Sequence, residues 1–376
     1  MFSKNRILSS VLVLTMCTGL FAGCGSDHES TAAVENQGET EAVASVGRDE
    51  INTVSAANDT TYSVVCTIFP EYDWAREVIG DLSENYEMTL LLDNGVDLHN
   101  YQPTADDIAK IAECDLFIYV GGESDGWVED ALKEATNENM QVINLLDVLG
   151  DTIKEEELVE GMQESDHEHE HDEAAHEEDH GEEHDEAAHE EEHGEEEVEY
   201  DEHVWLSLRN AQTLVSTISD ALKVIDSENA DVYQANCDAY NAELAALDAE
   251  YDSVVAQATQ STLVFADRFP FRYMVDDYNL DYYAAFVGCS AETEASFETV
   301  VFLAGKMDEL NLNHVLVIES SDQKIAQTVI GNTQNKNQDI LVLNSLQAVT
   351  SEEIEQGVTY LSIMQDNLEV LTEALD

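Results

Sequence analysis

Basic side chains are nearly absent from this chain: 14 Lys and Arg stand against 82 Asp and Glu in 376 residues, a formal charge of -68. A surface of that sign repels a phosphate backbone, which excludes nucleic acid as a partner and leaves cations as the ligands it attracts. A comfortable membrane span is missing as well. The apolar stretch Ile7 to Ala22, behind Lys4 and Arg6, falls short of the roughly 20 residues a spanning helix needs and ends abruptly, so it reads as a secretory leader. Cysteine is scarce, with six in all and none at metal-ligand spacing. Beyond Cys17 and Cys24 there remain Cys66, Cys114, Cys237 and Cys289. An exported chain can pair some of these, and Cys66, inside an apolar strand pattern, is equally well a buried thiol.

What the chain has in excess is histidine set among acids. His167, His169, His171, His176, His180, His184, His189 and His193 lie between 167 and 194 with scarcely an apolar side chain among them, so this stretch builds no core of its own. HDEAAHEEDHGEE from His171 recurs as HDEAAHEEEHGEE from His184, a tandem repeat of 13 residues that marks a low-complexity insertion. Imidazole at that density binds transition metals, and it suits zinc, copper or nickel better than calcium or magnesium. The windows at 167–171, 176–180 and 189–193 match HExxH, the zinc protease signature. That motif works only on a helix packed rigidly by an apolar face, which is missing here, so the matches follow from composition and no enzyme is implied.

The leader closes on Leu20-Phe21-Ala22-Gly23-Cys24, a sequence resembling a bacterial lipobox, in which Cys24 would be lipidated and become the mature N-terminus. Residues 25–60 are small, polar and acidic without periodicity, as expected of a flexible tether. From Tyr62 strands and helices alternate: strand patterns at Tyr62 to Ile68, Tyr86 to Leu92, Leu116 to Val120 and Gln141 to Leu145 are separated by helical ones. This predicts an N-terminal α/β lobe over 61–150 with a parallel sheet flanked by helices. The acidic loop over 151–202 interrupts it, and a helix over 203–228 completes it. A long helix over 229–260, apolar along Tyr233, Cys237, Tyr240, Leu244, Leu247 and Tyr251, is expected to link it rigidly to a second lobe. There the alternation restarts over 261–376, with strands at Thr262 to Ala266, Tyr282 to Phe286, Val315 to Ile318 and Ile340 to Leu343, and a final helix over Glu352 to Leu375.

In such sheets ligands gather at the carboxyl ends of the strands. His99 follows the second strand, Asp267 and Arg268 follow Thr262 to Ala266, and Glu319 and Asp322 follow Val315 to Ile318. These residues predict a cation site between the lobes, whereas His314 precedes its strand and belongs to the opposite edge.

Gly95-Val96-Asp97-Leu98-His99-Asn100-Tyr101-Gln102-Pro103-Thr104 resembles the first signature of the metal-binding solute proteins of bacterial ABC importers for zinc and manganese. Asp201-Glu202-His203-Val204-Trp205 is similar to their second signature, and the histidine loop sits just before it, where the zinc members carry theirs. Tyr278-Asn279-Leu280 and Glu292-Thr293-Glu294-Ala295-Ser296 extend the likeness over about Tyr62 to Asp376. The resemblance implies a monomer that captures zinc outside the cytoplasm and delivers it to a permease with its ATPase subunit, held to the membrane by its lipid. A manganese or nickel carrier, or a zinc-buffering or adhesive surface lipoprotein, is the alternative. It also implies His99 and His203 as the first two ligands, while the third position falls on Arg268, which cannot coordinate a cation. Asp267, one residue earlier, is then the expected substitute, with Glu319 or Asp322 as a fourth ligand.

Overall fold

The computed structural model describes residues 61–163, 199–290 and 294–376. The leader with Cys24, the tether, the histidines His167 to His193, and Glu292 and Thr293 lie outside the described residues. In the first lobe β1 (Tyr62–Cys66), α1 (Phe69–Ile79), β2 (Tyr86–Leu90), α2 (Ala105–Glu113), β3 (Leu116–Tyr119), α3 (Val128–Lys133), β4 (Gln141–Asn144) and α4 (Leu145–Leu149) follow one another. Their strands form a four-stranded parallel sheet in the order β2-β1-β3-β4. Then come α5 (Leu208–Ile225) and α6 (Ala230–Gln257). The second lobe runs through β5 (Thr262–Phe269), α7 (Arg272–Asp277), β6 (Asp281–Val287), α8 (Phe297–Leu310), β7 (His314–Ile318), α9 (Lys324–Asn332), β8 (Asp339–Leu343), α10 (Ser351–Glu355) and α11 (Tyr360–Ala374). Its sheet repeats the pattern as β6-β5-β7-β8, again parallel.

Both sheets reverse direction of strand addition beside their first strand, and that reversal opens a crevice at the carboxyl ends. There Asp97 in the loop after β2 meets Arg268 at the end of β5, and His99 approaches Cys289 in the loop after β6. The 28 residues of α6 span about 42 Å. Its buried side chains are Tyr233, Cys237, Tyr240, Leu244, Leu247 and Tyr251, the stripe that the periodicity marked. Tyr233 donates to Asp226 and shares a hydrogen bond with Tyr86 at one end, and Tyr251 donates to the Met364 carbonyl at the other, so the helix is anchored in both lobes.

One apolar cluster runs through both lobes, with Trp74, Trp205, Phe269 and Tyr360 all buried in it. Trp205 Nε1 donates to the Ser345 carbonyl at 2.9 Å, the Tyr360 hydroxyl donates to the Trp205 carbonyl at 2.7 Å, and Tyr360 N–H donates to Asp73 at 2.7 Å. These bonds lie in an apolar surrounding, where each unmade partner would cost about 1–3 kcal/mol.

The structure corrects three sequence expectations. Strand β5 runs on to Phe269 across a register shift between Phe265 and Arg268, so Asp267 and Arg268 lie inside the strand and not after it. The last helix is two, because Gly357 with φ +93° stands between α10 and α11. Residues 151–163 do not hang free as part of a loop: Lys154 N–H donates to the Tyr273 hydroxyl, Arg272 pairs with Glu157 at 2.8 Å, and Gln163 N–H donates to the Ala285 carbonyl. The stem of the insertion is closed by an antiparallel bridge between Glu155 and Tyr200.

Candidate metal centre between the lobes

His99 sits on a single helical turn, Leu98–Asn100, in the loop after β2. Asp97 caps that turn by accepting from His99 N–H at 3.1 Å, which fixes the backbone that carries the imidazole. His203 lies in the Asp201-Glu202-His203 segment leading into α5 and is fully buried. Asp201 Oδ1 accepts from its backbone N–H at 2.8 Å and lies 2.9 Å from its Nδ1. A carboxylate there keeps the proton on Nδ1 and turns the Nε2 lone pair outward, the arrangement typical of metal-binding histidines.

That lone pair faces His99. The two Nε2 atoms are 3.3 Å apart, while His99 Nδ1 is 2.7 Å from Ser124 Oγ and 3.5 Å from Glu202 Oε2. Zinc–imidazole bonds of about 2.0–2.1 Å at the tetrahedral angle put two ligand nitrogens about 3.3–3.4 Å apart. The pair is therefore spaced for one cation. Burial and the neighbouring His203 push the His99 pKa down to about 3. Burial acts most strongly, to lower His203, but the carboxylates of Asp201, Glu202 and Asp97 together outweigh it and leave that pKa raised. Two imidazoles at this distance hold one proton at most between their facing nitrogens.

Glycines make the closeness possible. A Cβ on Gly122, which has φ +79°, would meet Glu202 Oε1 at 2.3 Å, and one on Gly288 would meet His203 Cε1 at 2.9 Å. Next to Gly288, after β6, stands Cys289. Its Sγ and one ring nitrogen each of His99 and His203 all lie within 4.8 Å of one another. Cys289 N–H donates to Glu156 Oε1 at 3.1 Å, and burial together with Glu156 pushes the thiol's pKa well up. Sequence reasoning passed over Cys289, although the rule that looks beyond the carboxyl ends of strands points to it as much as to His99.

The acids expected beside the histidines are engaged elsewhere. Glu319 accepts from Ser345 N–H and Oγ, each at 2.8 Å, which holds its carboxylate against the loop after β8. Asp322 is exposed and pairs with Lys324. Asp267 accepts from Arg268 N–H and lines a neighbouring cavity of about 340 Å³ with Asn100, Arg268, Ser290 and Asp322. Arg268 itself reaches across the cleft to Asp97 at 2.7 Å, bracing the residue that caps the His99 turn. His314 stands at the first residue of β7, at the opposite edge, 3.9 Å from Glu373. The buried thiols Cys66, Cys114 and Cys237 are free, as is Cys289.

Two parallel α/β lobes on one long linking helix, with paired imidazoles in the crevice between them, define a two-lobed class with a candidate metal site at its centre. The chain belongs to the family of ZnuA, zinc-uptake complex component A, periplasmic, whose model matches residues 64–374. It is 27% identical over 325 residues to the zinc-binding protein AdcA of Streptococcus pyogenes, covering 83% of this chain and 56% of that one. The chain thus spans about half the length of the curated AdcA relatives that it matches. Over 367 residues it is 27% identical to the high-affinity zinc uptake system protein ZnuA of Bacillus subtilis, covering 98% of this chain and 97% of the other. The zinc-bound ZnuA-like domain of Streptococcus pneumoniae AdcA superposes with a TM-score of 0.61 at 26% identity, covering 84% of this chain and 99% of that domain. The family is a component of a transport complex, working outside the cytoplasm. No helix among the described residues is long and apolar enough to cross a membrane.

Proposed function

We propose that this protein captures zinc outside the cytoplasm and hands it to a membrane permease driven by an ATPase subunit, catalysing no reaction in the process. Zinc is cargo, and His99 and His203 are the residues that first hold it. The observation that carries this reading is the 3.3 Å spacing of two Nε2 atoms whose Nδ1 partners, Asp201 and the Ser124–Glu202 pair, set both lone pairs toward one point. Imidazole donors suit zinc better than manganese, which prefers carboxylate and water, so manganese stands second among cargoes.

The histidine loop supports the same role as a gatherer of ions. Glu199, Tyr200 and Glu202, where the insertion rejoins the fold, line one cavity of about 240 Å³ with His99, Glu156 and Cys289, so ions leaving the loop arrive at the mouth of the site. Lipidation at Cys24 would hold the monomer at the membrane, beside the permease.

The test is a zinc competition titration against a chromogenic chelator. The full chain should show one tight equivalent that His99→Ala and His203→Ala each weaken by about 100-fold or more, with the metal-free protein still unfolding in one cooperative transition. Tight stoichiometric zinc in both variants would put the cargo site elsewhere.

A further inference from the structure

We infer that Cys289 Sγ is the third donor to the captured ion, bound as a thiolate, so that the cleft holds its cation through two imidazole nitrogens and one sulfur. The inference rests on the reading that His99 and His203 hold that ion. Two imidazoles leave a zinc ion two ligands short of its usual four. Arg268 carries no lone pair for a metal and is committed to Asp97. Glu319 is held against Ser345 and Asp322 faces solvent with Lys324, and neither forms a group with the two histidines. Among the described His, Cys, Asp and Glu side chains, Cys289 is the one that forms a group with both histidines, with donor atoms within 4.8 Å.

The geometry closes with little movement. A zinc–sulfur bond of about 2.3 Å beside a zinc–nitrogen bond of about 2.05 Å places sulfur about 3.6 Å from each nitrogen. From contacts of up to 4.8 Å that asks for a shift of about 1 Å at Sγ, which a side-chain rotation on the Gly288–Ser290 turn supplies. Glu156, accepting from Cys289 N–H, is the positioning residue for that turn. When the bond forms, the Sγ–H bond breaks, its electron pair goes to the metal, and the proton leaves to water through the cavity lined by His99, Glu156 and Glu199. No electron is transferred. A sulfur donor biases the cleft toward thiophilic ions, zinc and cadmium among them, and against manganese.

The experiment loads the full chain with one equivalent of cobalt(II) and records its absorption spectrum. A near-ultraviolet sulfur-to-cobalt charge-transfer band is expected in the wild type and should vanish in Cys289→Ser. The loop contributes no such band, since His167 to Gly194 offers only nitrogen and oxygen donors. In competition titrations Cys289→Ser should weaken zinc by about 100-fold and cadmium by more, because serine offers a hard oxygen of similar size. Cobalt bound in the wild type and lost in His203→Ala, yet without the sulfur band, would overturn the thiolate and leave zinc capture standing. No tight cobalt or zinc in the wild type would overturn both. The wild-type band needs no variant, so misfolding of Cys289→Ser cannot obscure the outcome.

Discussion

Asp201 offers the sharpest test of how the cleft is preorganised. Its Oδ1 accepts from the backbone N–H of His203 at 2.8 Å and lies 2.9 Å from its Nδ1, so one atom sets both the position and the tautomer of the buried ring. In Asp201→Asn the amide has the same shape but no charge, and its NH2 group can face Nδ1, forcing the ring proton onto Nε2 where the metal must bind. Loss of such a supporting carboxylate costs about 10- to 100-fold in metal affinity, or about 1.4–2.7 kcal/mol. The penalty should depend on pH with a defined sign. Asp201 raises the His203 pKa above 6.5, so in the wild type a proton competes with zinc for Nε2 as pH falls through that raised value. Removing the carboxylate lowers the pKa and weakens that competition. The variant should therefore lose more affinity relative to wild type at pH 8 than at pH 5.5, read by chelator competition at both. Equal affinity of the two proteins at pH 8, or a penalty that grows toward acid, would refute this account of the site.

Glu71 tests the linkage between burial and stability. Burial, reinforced by Asp125, pushes its carboxyl up from 4.5 to about 8, while Oε2 accepts from Thr67 N–H, Thr67 Oγ1 and Ile68 N–H. The folded protein thus keeps a proton that the unfolded chain releases, and stability falls as pH rises from about 4.5 to about 8. Glu71→Gln should melt with the wild type near pH 5 and be more stable at pH 9, by something on the order of 3–5 kcal/mol if the amide oxygen keeps the three bonds; equal melting at pH 9 would contradict this. Deleting Asp166 to Gly194 should remove several weak zinc equivalents, keep the single tight one, and slow uptake only when zinc is scarce. Those weak equivalents should fade below about pH 6.5, where free imidazole protonates. Loss of the tight equivalent would make the loop the primary site.

Periodicity was enough to identify the elements. A repeat of apolar side chains reports which face of a helix or strand is buried, and that is a local property, so the stripe on α6 and the two runs of alternating strand and helix were legible residue by residue. His99 was legible for a related reason: parallel sheets bring strand ends to one edge, and chemistry-bearing residues there are conspicuous, whereas His203 was singled out by the likeness of Asp201-Glu202-His203-Val204-Trp205 to a family signature. The partners were decided by tertiary structure. Whether an acid reaches a metal site depends on where the fold turns its side chain, and Glu319 is turned to Ser345, 26 residues later. Arg268 became a brace for Asp97 because β5 runs on past its register shift and carries the guanidinium across the cleft. Cys289 joined two histidines distant from it in sequence because Gly288 lets the backbone pass against the His203 ring. No spacing rule encodes such a meeting, since it depends on how two separately wound lobes are set on one helix.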